Sequence, residues 1–510
     1  MNTDNREKNS IRNVSVGMVY QFISLVMNFL AKTFFIKILG PDYLAINGLF
    51  TNIFMLFSFA EFGISVAMNY SLYKPIANGD ISKICGLYSL YQKFYRKMSL
   101  IILVVGVCVI PLIPYVVKLD NNIKGITMFY LVFLINIIVY NMFIFKTYLL
   151  IADQRKYIIF IAQIVTDIIG FSLQIFVLVA YRDYLTYLII LCVKTIGFSI
   201  ASHFLVKKYY PFIGQKGYVE EEEKREIKKN IKDLFVYRFA LVLVSSTDNV
   251  IISIIVGTIY VGYYSNYDLI VMGIASIVTV VYSALSSSIG NLIAEKDNES
   301  AYSIFKWVQV ISMWLSGAMA ICLMLLFQDF IKLWIGSNYL LSEAVIVVIV
   351  VNFYISCIRD SMKIFRETLG IFDKVKYMMI SNAAINLILS FVLGYFYGIF
   401  GVLIATTISA LLTFYWYEPI LIYRAMKVKK VWEYFGIQGL SIILLLFNLF
   451  LTNLILNLFS FSGISGFLLK AVLCFIICNI IYFLVLGRTQ AVRYVISVAG
   501  SFFIRKKKDL

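Results

Sequence analysis

The segment KTYLLIADQRKY (Lys146 to Tyr157) has a counterpart within the same chain of 510 residues. The counterpart is RETLGIFDKVKY (Arg366 to Tyr377), which lies 220 residues later and is identical at five aligned positions. An offset of 217 aligns the earlier part of each copy without a gap, and it matches Tyr20 with Tyr237, Gly40 with Gly257, Tyr43 with Tyr260, Ala77 with Ala294 and Asp80 with Asp297. Self-similarity of this kind predicts that the chain contains two copies of one structural unit.

Composition places both copies in a membrane. Hydrophobic residues make up 61% of the chain and charged residues only 14%, whereas soluble proteins contain about 25% charged residues. Apolar runs of about 20 residues recur along the chain, and each can cross a hydrocarbon core of ~30 Å. These runs do not alternate with period two, as the strands of transmembrane barrels do. We therefore predict an all-α polytopic membrane protein.

The apolar runs predict about fourteen helices. They are expected at 13–38, 43–72, 92–117, 125–151, 157–181, 184–206, 232–257, 262–293, 304–327, 340–368, 374–397, 400–424, 437–457 and 466–487. Both offsets of the repeat span six helices, so the two copies share one orientation and are related by an axis along the membrane normal. The predicted architecture is two pseudo-symmetric six-helix lobes followed by two C-terminal helices.

The repeat also predicts the domain boundaries. We expect an N-lobe at 1–206, a cytoplasmic linker at 207–231, a C-lobe at 232–425, helices thirteen and fourteen at 426–487, and a basic cytoplasmic tail at 488–510. Two lobes around a cleft are the arrangement that alternating access requires.

The distribution of positive charge predicts the orientation. Cations gather in the connections on one side of the membrane: Lys93, Arg96, Lys97, Arg155, Lys156, Lys207, Lys208, Lys374, Lys376, Lys427, Lys429 and Lys430. Cytoplasmic loops carry this excess, and both termini are basic, so both are expected in the cytoplasm. The net charge of +17 is thus explained by the orientation of the chain in the membrane, and we expect no nucleic-acid partner. The polar N-terminal segment carries no signal-peptide cleavage pattern.

The seven cysteines lie mostly in or beside apolar segments, and only Cys474 and Cys478 share a helical spacing. No histidine or acid accompanies them, so we interpret the cysteines as small packing residues and expect no metal site.

Several polar residues fall inside the predicted spans. The candidates for a substrate-binding cavity are Asn28, Lys32, Glu61, Asp167, Lys194 and Arg238. A charge at the bilayer centre costs about 2.5–3.5 kcal/mol even on the lenient insertion scale, and therefore normally faces water or a partner. The alternatives are structural ion pairs, polar contacts between helices and, for Lys194, a side chain that reaches the interface. We interpret His203 as a packing or interfacial residue and Glu418, which precedes Pro419, as interfacial.

Several segments resemble a known family. The segments are Leu39 to Asp80, KTYLLIADQRKY, and STDNVIISIIVGTIYVGYYSNYDLI followed by SSSIGNLIA. They are similar to segments of the bacterial polysaccharide repeat-unit flippases of the Wzx type. The resemblance covers nearly the full chain. It implies the MOP exporter fold (multidrug, oligosaccharidyl-lipid, polysaccharide) in the cytoplasmic membrane. It also implies transport of undecaprenyl-pyrophosphate-linked oligosaccharide from the cytoplasmic to the outer leaflet.

Such a substrate fits the polar residues. Lys32 and Arg238 are suited to the phosphates, Arg by forked contacts and Lys as a point charge. The polyprenyl tail has to stay in lipid, where helices thirteen and fourteen can offer an apolar groove beside the cleft. The chain has no nucleotide-binding motif, so ATP is not the expected energy source. A polysaccharide polymerase as an additional partner is left open.

The resemblance also implies a coupling site, because related flippases have a sodium site among helices seven, eleven and twelve. The matching candidates here are Asp248, Asn382, Asn386 and Thr406. Of these, Asp248, Asn386 and Thr406 are expected near mid-depth at ~1.5 Å per helical residue. Carboxylate, amide and hydroxyl oxygens suit a hard monovalent cation. The alternative is that the aspartate is hydrogen-bonded to the two asparagines and only holds the helices together. The choice between sodium and protons as the coupling ion stays open. At the offset of 217, Ala31 and Lys32 align with Asp248 and Asn249, so the two copies carry opposite charges, on Lys32 and Asp248, at equivalent depth.

Two further functions agree with parts of the sequence. A membrane polysaccharide polymerase or glycosyl-transfer enzyme normally has a large external loop with catalytic residues, and the predicted external loops are short and nearly free of acids. A cation-coupled drug exporter of the same superfamily needs only twelve helices. We therefore expect a transporter and no enzyme, with no cofactor apart from a coupling Na⁺ or H⁺.

Overall fold

The chain is all-α throughout the residues that the computed structural model describes, which are 3–118, 123–295, 298–369, 371–428, 430–490 and 492. The helices are α1 (Thr3–Leu39), α2 (Pro41–Phe57), α3 (Phe59–Asn78), α4 (Ile81–Val109), α5 (Ile113–Val116), α6 (Ile126–Ile144), α7 (Thr147–Ala152), α8 (Lys156–Tyr181), α9 (Tyr184–Tyr209), α10 (Glu221–Ile255), α11 (Thr258–Glu295), α12 (Asn298–Trp334), α13 (Glu343–Thr368), α14 (Phe372–Leu412), α15 (Phe414–Ala425), α16 (Val431–Leu456) and α17 (Gly463–Leu486). Short 3₁₀ turns connect α4 to α5 and α12 to α13.

Every predicted span coincides with one of these helices or with a pair of them. Within the described ranges, ten helical segments are long and apolar enough to cross a membrane. One of them, Tyr377–Ala425, has 49 residues and covers predicted spans eleven and twelve, which separate at Gly398 (φ 60°, ψ −139°). Predicted span two is divided at Ser58 into α2 and α3. The prediction of an all-α, multi-pass membrane fold is confirmed, and the helices are consistent with about fourteen crossings.

The chain forms two compact units, Met1–Ser265 and Asn266–Leu510. The first unit contains α1 to α10 and the first two turns of α11, because α10 packs against α2 and α3. The second unit contains the rest of α11 and α12 to α17. The lobe boundaries expected from the repeat stay a prediction.

Two aligned glycines of the repeat hold the backbone in the same region. Gly40 (φ 83°) and Gly257 (φ 129°) both have positive φ, a conformation that costs glycine little and other residues more. Each ends a long helix and is followed at once by the next one. Asp80 accepts a hydrogen bond from the backbone N–H of Lys83 at 3.0 Å and so begins α4, as an N-cap does. Its aligned partner Asp297 lies outside the described residues.

The first unit brings α11 close to α2 through two glycines. A Cβ on Gly262 would lie 3.0 Å from the backbone nitrogen of Ala45, and a Cβ on Gly48 would lie 3.6 Å from the Cβ of Ser265. Small residues allow helix backbones to approach in this way. The contact places Ser265 of α11 beside α1, where it meets Lys32.

In the second unit the C-terminal pair α16 and α17 is tied to α12 along its length. Polar contacts recur from one end of the pair to the other: Glu433 with Tyr302 and Lys306, Gln438 with Gln309 at 3.5 Å, Asn479 with Trp314 at 2.9 Å, and Lys470 with Asp329 at 2.5 Å. The opposite faces of α16 and α17 expose large apolar side chains, among them Leu440, Ile443, Leu446, Phe447, Phe450, Leu468, Val472 and Phe475. The pair thus packs on α12 through a hydrophobic cluster supplemented by polar contacts, and it is apolar on its outer face.

The close packing of α12 and α17 predicts the effect of a small substitution. A Cβ on Gly317 would lie 2.0 Å from the hydroxyl oxygen of Tyr482, and Tyr482 is fully buried. Overpacking of this kind costs about 1–3 kcal/mol, so Gly317→Ala is expected to lower the Tm of the purified protein. Gly439→Ala in α16 is the matched control, because nothing lies within 4 Å of the added carbon. Equal Tm values for the two variants would contradict the α12–α17 contact.

Candidate functional site

Lys32 points from α1 towards the first turns of α11. Its Nζ donates to the backbone carbonyl of Ser265 at 2.5 Å and to the Oγ of the same residue at 3.2 Å. Ser265 Oγ in turn donates to the carbonyl of Gly262 at 2.8 Å. The ammonium group of Lys32 is therefore held against the first turns of α11 by a carbonyl and a hydroxyl oxygen of one residue.

Asp167 and Lys194 form an ion pair between α8 and α9. Lys194 Nζ lies 3.2 Å from Asp167 Oδ1, and the two side chains are only 17% and 15% exposed. The ammonium also lies 4.0 Å from the centroid of the Phe171 ring. Gly170 makes room for the lysine, since a Cβ there would lie 2.4 Å from Lys194 Cδ. Lys194 thus extends across the helix pair instead of towards the interface, and its predicted role in substrate binding stays a prediction.

The remaining cavity candidates are less defined. Asn28 lies one turn before Lys32 on α1 and is exposed. Glu61 lies in α3 and Arg238 in α10, but the side chains of both fall outside the described part of the chain.

Asp248 and Asn249 lie near the end of α10, in the first unit. Asp248 is 9% exposed and Asn249 is 5% exposed, so the acid identified from the sequence is buried within its helix bundle. The Oδ1 atom of Asn249 has no hydrogen-bond partner among the described residues.

The other three cation candidates belong to one hydrogen-bonded cluster in the second unit. Asn386 Nδ2 donates to Thr406 Oγ1 at 2.9 Å, and Thr413 Oγ1 donates to Asn382 Oδ1 at 3.0 Å. Asn382 and Asn386 are 2% and 0% exposed. The two halves of α14, joined at Gly398, therefore face each other through amide and hydroxyl groups.

This cluster leaves buried oxygens that can accept further contacts. Asn386 Oδ1 and Ser390 Oγ lie one turn apart on α14, and neither has a hydrogen-bond partner within the described ranges. Buried polar atoms are usually satisfied, and exceptions often mark a water or an ion. An oxygen-rich, water-excluded position of this kind fits a hard cation.

Sequence reasoning missed two contacts that occupy corresponding places in the repeat. Arg366 Nη1 lies 2.8 Å from Glu418 Oε1, and their side chains are 3% and 1% exposed. The interpretation of Glu418 as interfacial is therefore wrong, because Arg366 compensates its charge inside the unit. In the first copy the aligned Lys146 lies 3.0 Å from His203 Nδ1. The shared signal is the basic residue that opens the repeated motif.

The repeated motif also fixes a turn in the first unit. Asp153 Oδ2 accepts a hydrogen bond from the Tyr210 hydroxyl at 2.7 Å and lies 2.9 Å from Arg155 Nε. Burial raises the pKa of Tyr210, and the neighbouring carboxylate raises it further, so the hydroxyl remains protonated and keeps its role as donor. The turn after α7 is thus anchored to the end of α9.

Comparison with solved structures identifies the fold. The chain superposes on the inward-facing conformation of a multidrug resistance MATE family transporter of the MOP superfamily with a TM-score of 0.64, 14% identity, and coverage of 82% of this chain and 99% of the other. It superposes on the lipid II flippase MurJ in an inward closed conformation with a TM-score of 0.66, 16% identity, and coverage of 92% and 99%. A point mutant of the Vibrio cholerae MATE transporter VcmN gives a TM-score of 0.58, 14% identity, and coverage of 84% and 99%.

The chain has the fold of MOP-superfamily transporters. No protein-family model and no curated protein sequence matches it. The flippase superposition extends over 92% of this chain, against 82% to 84% for the MATE structures cited here.

The Asp167–Lys194 pair predicts a double-mutant result that separates its structural from its transport role. Asp167→Asn or Lys194→Met alone leaves one charge without its partner, and each is expected to cost about 2–3 kcal/mol, below the range for fully buried pairs because both side chains are partly exposed. The double variant is expected to regain most of the lost Tm.

Transport by the double variant then decides the role of the lysine. Recovery of both Tm and transport assigns the pair to structure alone. Recovery of Tm without transport supports a role for Lys194 in the substrate cavity, and failure to recover Tm would contradict the pair itself.

Proposed function

We propose that this protein flips undecaprenyl-pyrophosphate-linked oligosaccharide repeat units from the inner to the outer leaflet of the bacterial cytoplasmic membrane. The observation that carries the proposal is the C-terminal pair, α16 and α17, which adds an apolar outer face to the transporter fold. The superposition on a lipid II flippase covers more of this chain than the cited MATE superpositions do. Those two helices can contact the long lipid tail of such a substrate, whereas a drug exporter does not need them.

The polyprenyl tail and the polar head group have opposite requirements. The tail remains in hydrocarbon, where the exposed leucine, isoleucine and phenylalanine side chains of α16 and α17 offer contacts of matching polarity. The pyrophosphate requires cations in a hydrated cleft. We assign the pyrophosphate to two cationic residues, Arg238 and Lys32, the second of which donates hydrogen bonds to Ser265.

The direction of transport, the orientation of the chain and its partners follow from the same proposal. Alternating access of the cleft delivers the head group to the outer leaflet, while both termini stay in the cytoplasm. Bilayer lipids surround the protein, and a polysaccharide polymerase is the enzyme that would use the delivered repeat unit.

We further propose that cation movement drives the cycle, with Asp248, Asn382, Asn386 and Thr406 as the coupling residues. The unpartnered Asn386 Oδ1 in a buried amide and hydroxyl cluster supports this assignment. Amide and hydroxyl oxygens coordinate Na⁺ but do not take up a proton near neutral pH. Sodium therefore fits the cluster better than a proton, which only Asp248 could carry. When bound, the cation supplies positive charge that stabilises one conformation over the other.

Substitution of the phosphate-binding cations tests the substrate assignment. In a strain that lacks its own repeat-unit flippase, the wild-type chain is expected to restore surface polysaccharide. Lys32→Ala and Arg238→Ala are expected to reduce the restored amount to below about a tenth, since loss of one charge-assisted hydrogen bond costs about 1.5–3 kcal/mol. Lys32→Arg is the matched control, because it retains the charge. Full restoration by both alanine variants would remove the proposed phosphate site.

Sodium dependence tests the coupling residues. Replacement of sodium by choline is expected to abolish flipping in proteoliposomes, and Asn386→Ala is expected to raise the sodium concentration for half-maximal flipping by about tenfold, equivalent to about 1.4 kcal/mol. Asn448→Ala provides the matched control, because Asn448 is an equally buried amide that is bonded to the carbonyl of Cys478 in the C-terminal pair. Flipping that persists in choline and survives Asp248→Asn would contradict sodium coupling.

A further inference from the structure

The first unit contains a cavity of about 480 Å³ beside the repeated motif. The end of α3 and the turn after α7 form its walls, with Tyr73, Lys74, Ile76 and Ala77 on one side and Asp153 and Gln154 on the other. Its volume falls within the range of about 300–1,000 Å³ that is typical of small-molecule sites. None of the cavity and coupling residues discussed above belongs to it, so it is a separate feature of the fold.

The turn that forms one wall is held rigidly. Gln154 has φ 59°, a left-handed conformation that is unfavourable for a residue other than glycine. Asn13 of α1 fixes the turn from outside, because its Nδ2 donates to the carbonyl of Gln154 at 2.8 Å and its Oδ1 accepts from the backbone N–H of Tyr157 at 2.7 Å. Strained residues held by their surroundings are common at binding sites.

The cavity presents unused polar groups on an otherwise neutral wall. Asp153 is bonded to Tyr210 and Arg155, so its charge is compensated. Lys74 and Gln154 are exposed, and within the described part of the chain their side chains form no hydrogen bond or ion pair. Tyr73 is 51% exposed. The wall therefore offers one ammonium group, one amide and one aromatic ring to a ligand.

This combination matches a saccharide. The amide donates and accepts at once, which suits neighbouring hydroxyl groups, and the ammonium donates three hydrogen bonds. A tyrosine ring with the adjacent Ile76 and Ala77 offers an apolar surface for the C–H faces of a sugar. A phosphate would instead require several cations or converging backbone N–H groups, and of the lining residues only Lys74 is cationic and uncompensated.

We propose that this cavity is a cytoplasmic subsite for the oligosaccharide of the lipid-linked substrate, occupied before the head group enters the cleft. The proposal rests on the function proposed above. The cytoplasmic position follows from the predicted topology, in which Arg155 and Lys156 of the same turn lie in a cytoplasmic connection. The tail can remain in the inner leaflet while the sugars contact the rim formed by α3 and the turn.

The test is binding of three probes to the full-length protein in nanodiscs. The probes are the undecaprenyl-pyrophosphate-linked oligosaccharide extracted from the flippase-deficient strain, the free oligosaccharide released from it by mild acid, and undecaprenyl phosphate. Tyr73→Ala, Lys74→Ala and Gln154→Ala are each expected to raise the Kd for the free oligosaccharide at least fivefold. Tyr70→Ala is the matched control, since Tyr70 lies one turn earlier on α3, is 74% exposed and does not line the cavity; its Kd is expected to stay within twofold of the wild-type value.

The same variants are compared in a proteoliposome flipping assay. We expect the three cavity variants to raise the KM for the lipid-linked oligosaccharide by a similar factor while they change the maximal rate by less than twofold. A merely structural role would lower the maximal rate with the amount of folded protein and leave the Kd of the folded fraction unchanged.

Other outcomes overturn the proposal in distinguishable ways. If undecaprenyl phosphate binds and depends on Lys74 while the free oligosaccharide does not bind, the cavity is a lipid head-group site. If the wild type flips the lipid-linked oligosaccharide and the cavity variants match it in Kd and KM, the subsite is wrong and the proposed function stands. If the wild type neither binds nor flips that substrate, the proposed function itself is wrong.

Discussion

A charged side chain within hydrocarbon has to find a partner or water, at a cost of about 2.5–3.5 kcal/mol when it finds neither. This constraint explains the arrangement of the ionic groups in the apolar helices. Lys194 meets Asp167, and Arg366 meets Glu418, each across a helix pair. Lys32 donates hydrogen bonds to the backbone carbonyl and to the hydroxyl of Ser265. These contacts connect α1 to the first turns of α11.

The internal repeat places corresponding contacts at corresponding points of the fold. A basic residue opens the repeated motif in each copy, and it reaches a helix about fifty residues later: His203 for Lys146 and Glu418 for Arg366. The partner differs between the copies, but the connection between helices is kept. The two copies therefore share a connection between helices but differ in chemistry, as the cavity of the first unit and the amide cluster of the second unit illustrate.

Periodicity and length were sufficient to predict the helices, because the bilayer thickness sets the length of each apolar run. The division of α2 from α3 at Ser58 and the break at Gly398 were not predictable, since helix continuity there depends on packing between neighbours. Individual site residues were recognisable because a polar group in an apolar run is conspicuous. Their partners were not: the Asp167–Lys194 pair joins two residues that were identified separately, and Ser265 gave no signal, because its role depends on the approach of α11 to α2 through Gly48 and Gly262.

The central claim is that this chain moves a lipid-linked oligosaccharide across a bilayer, and the most direct measurement is of leaflet position in proteoliposomes that contain only the purified protein. The substrate is introduced into the outer leaflet, and the fraction that becomes protected from an impermeant periodate reagent, which oxidises exposed sugars, is followed with time. The account predicts that an imposed sodium gradient makes this fraction rise well above that in protein-free liposomes. A fraction equal to that in protein-free liposomes, with folded protein present in the same bilayer, would contradict it.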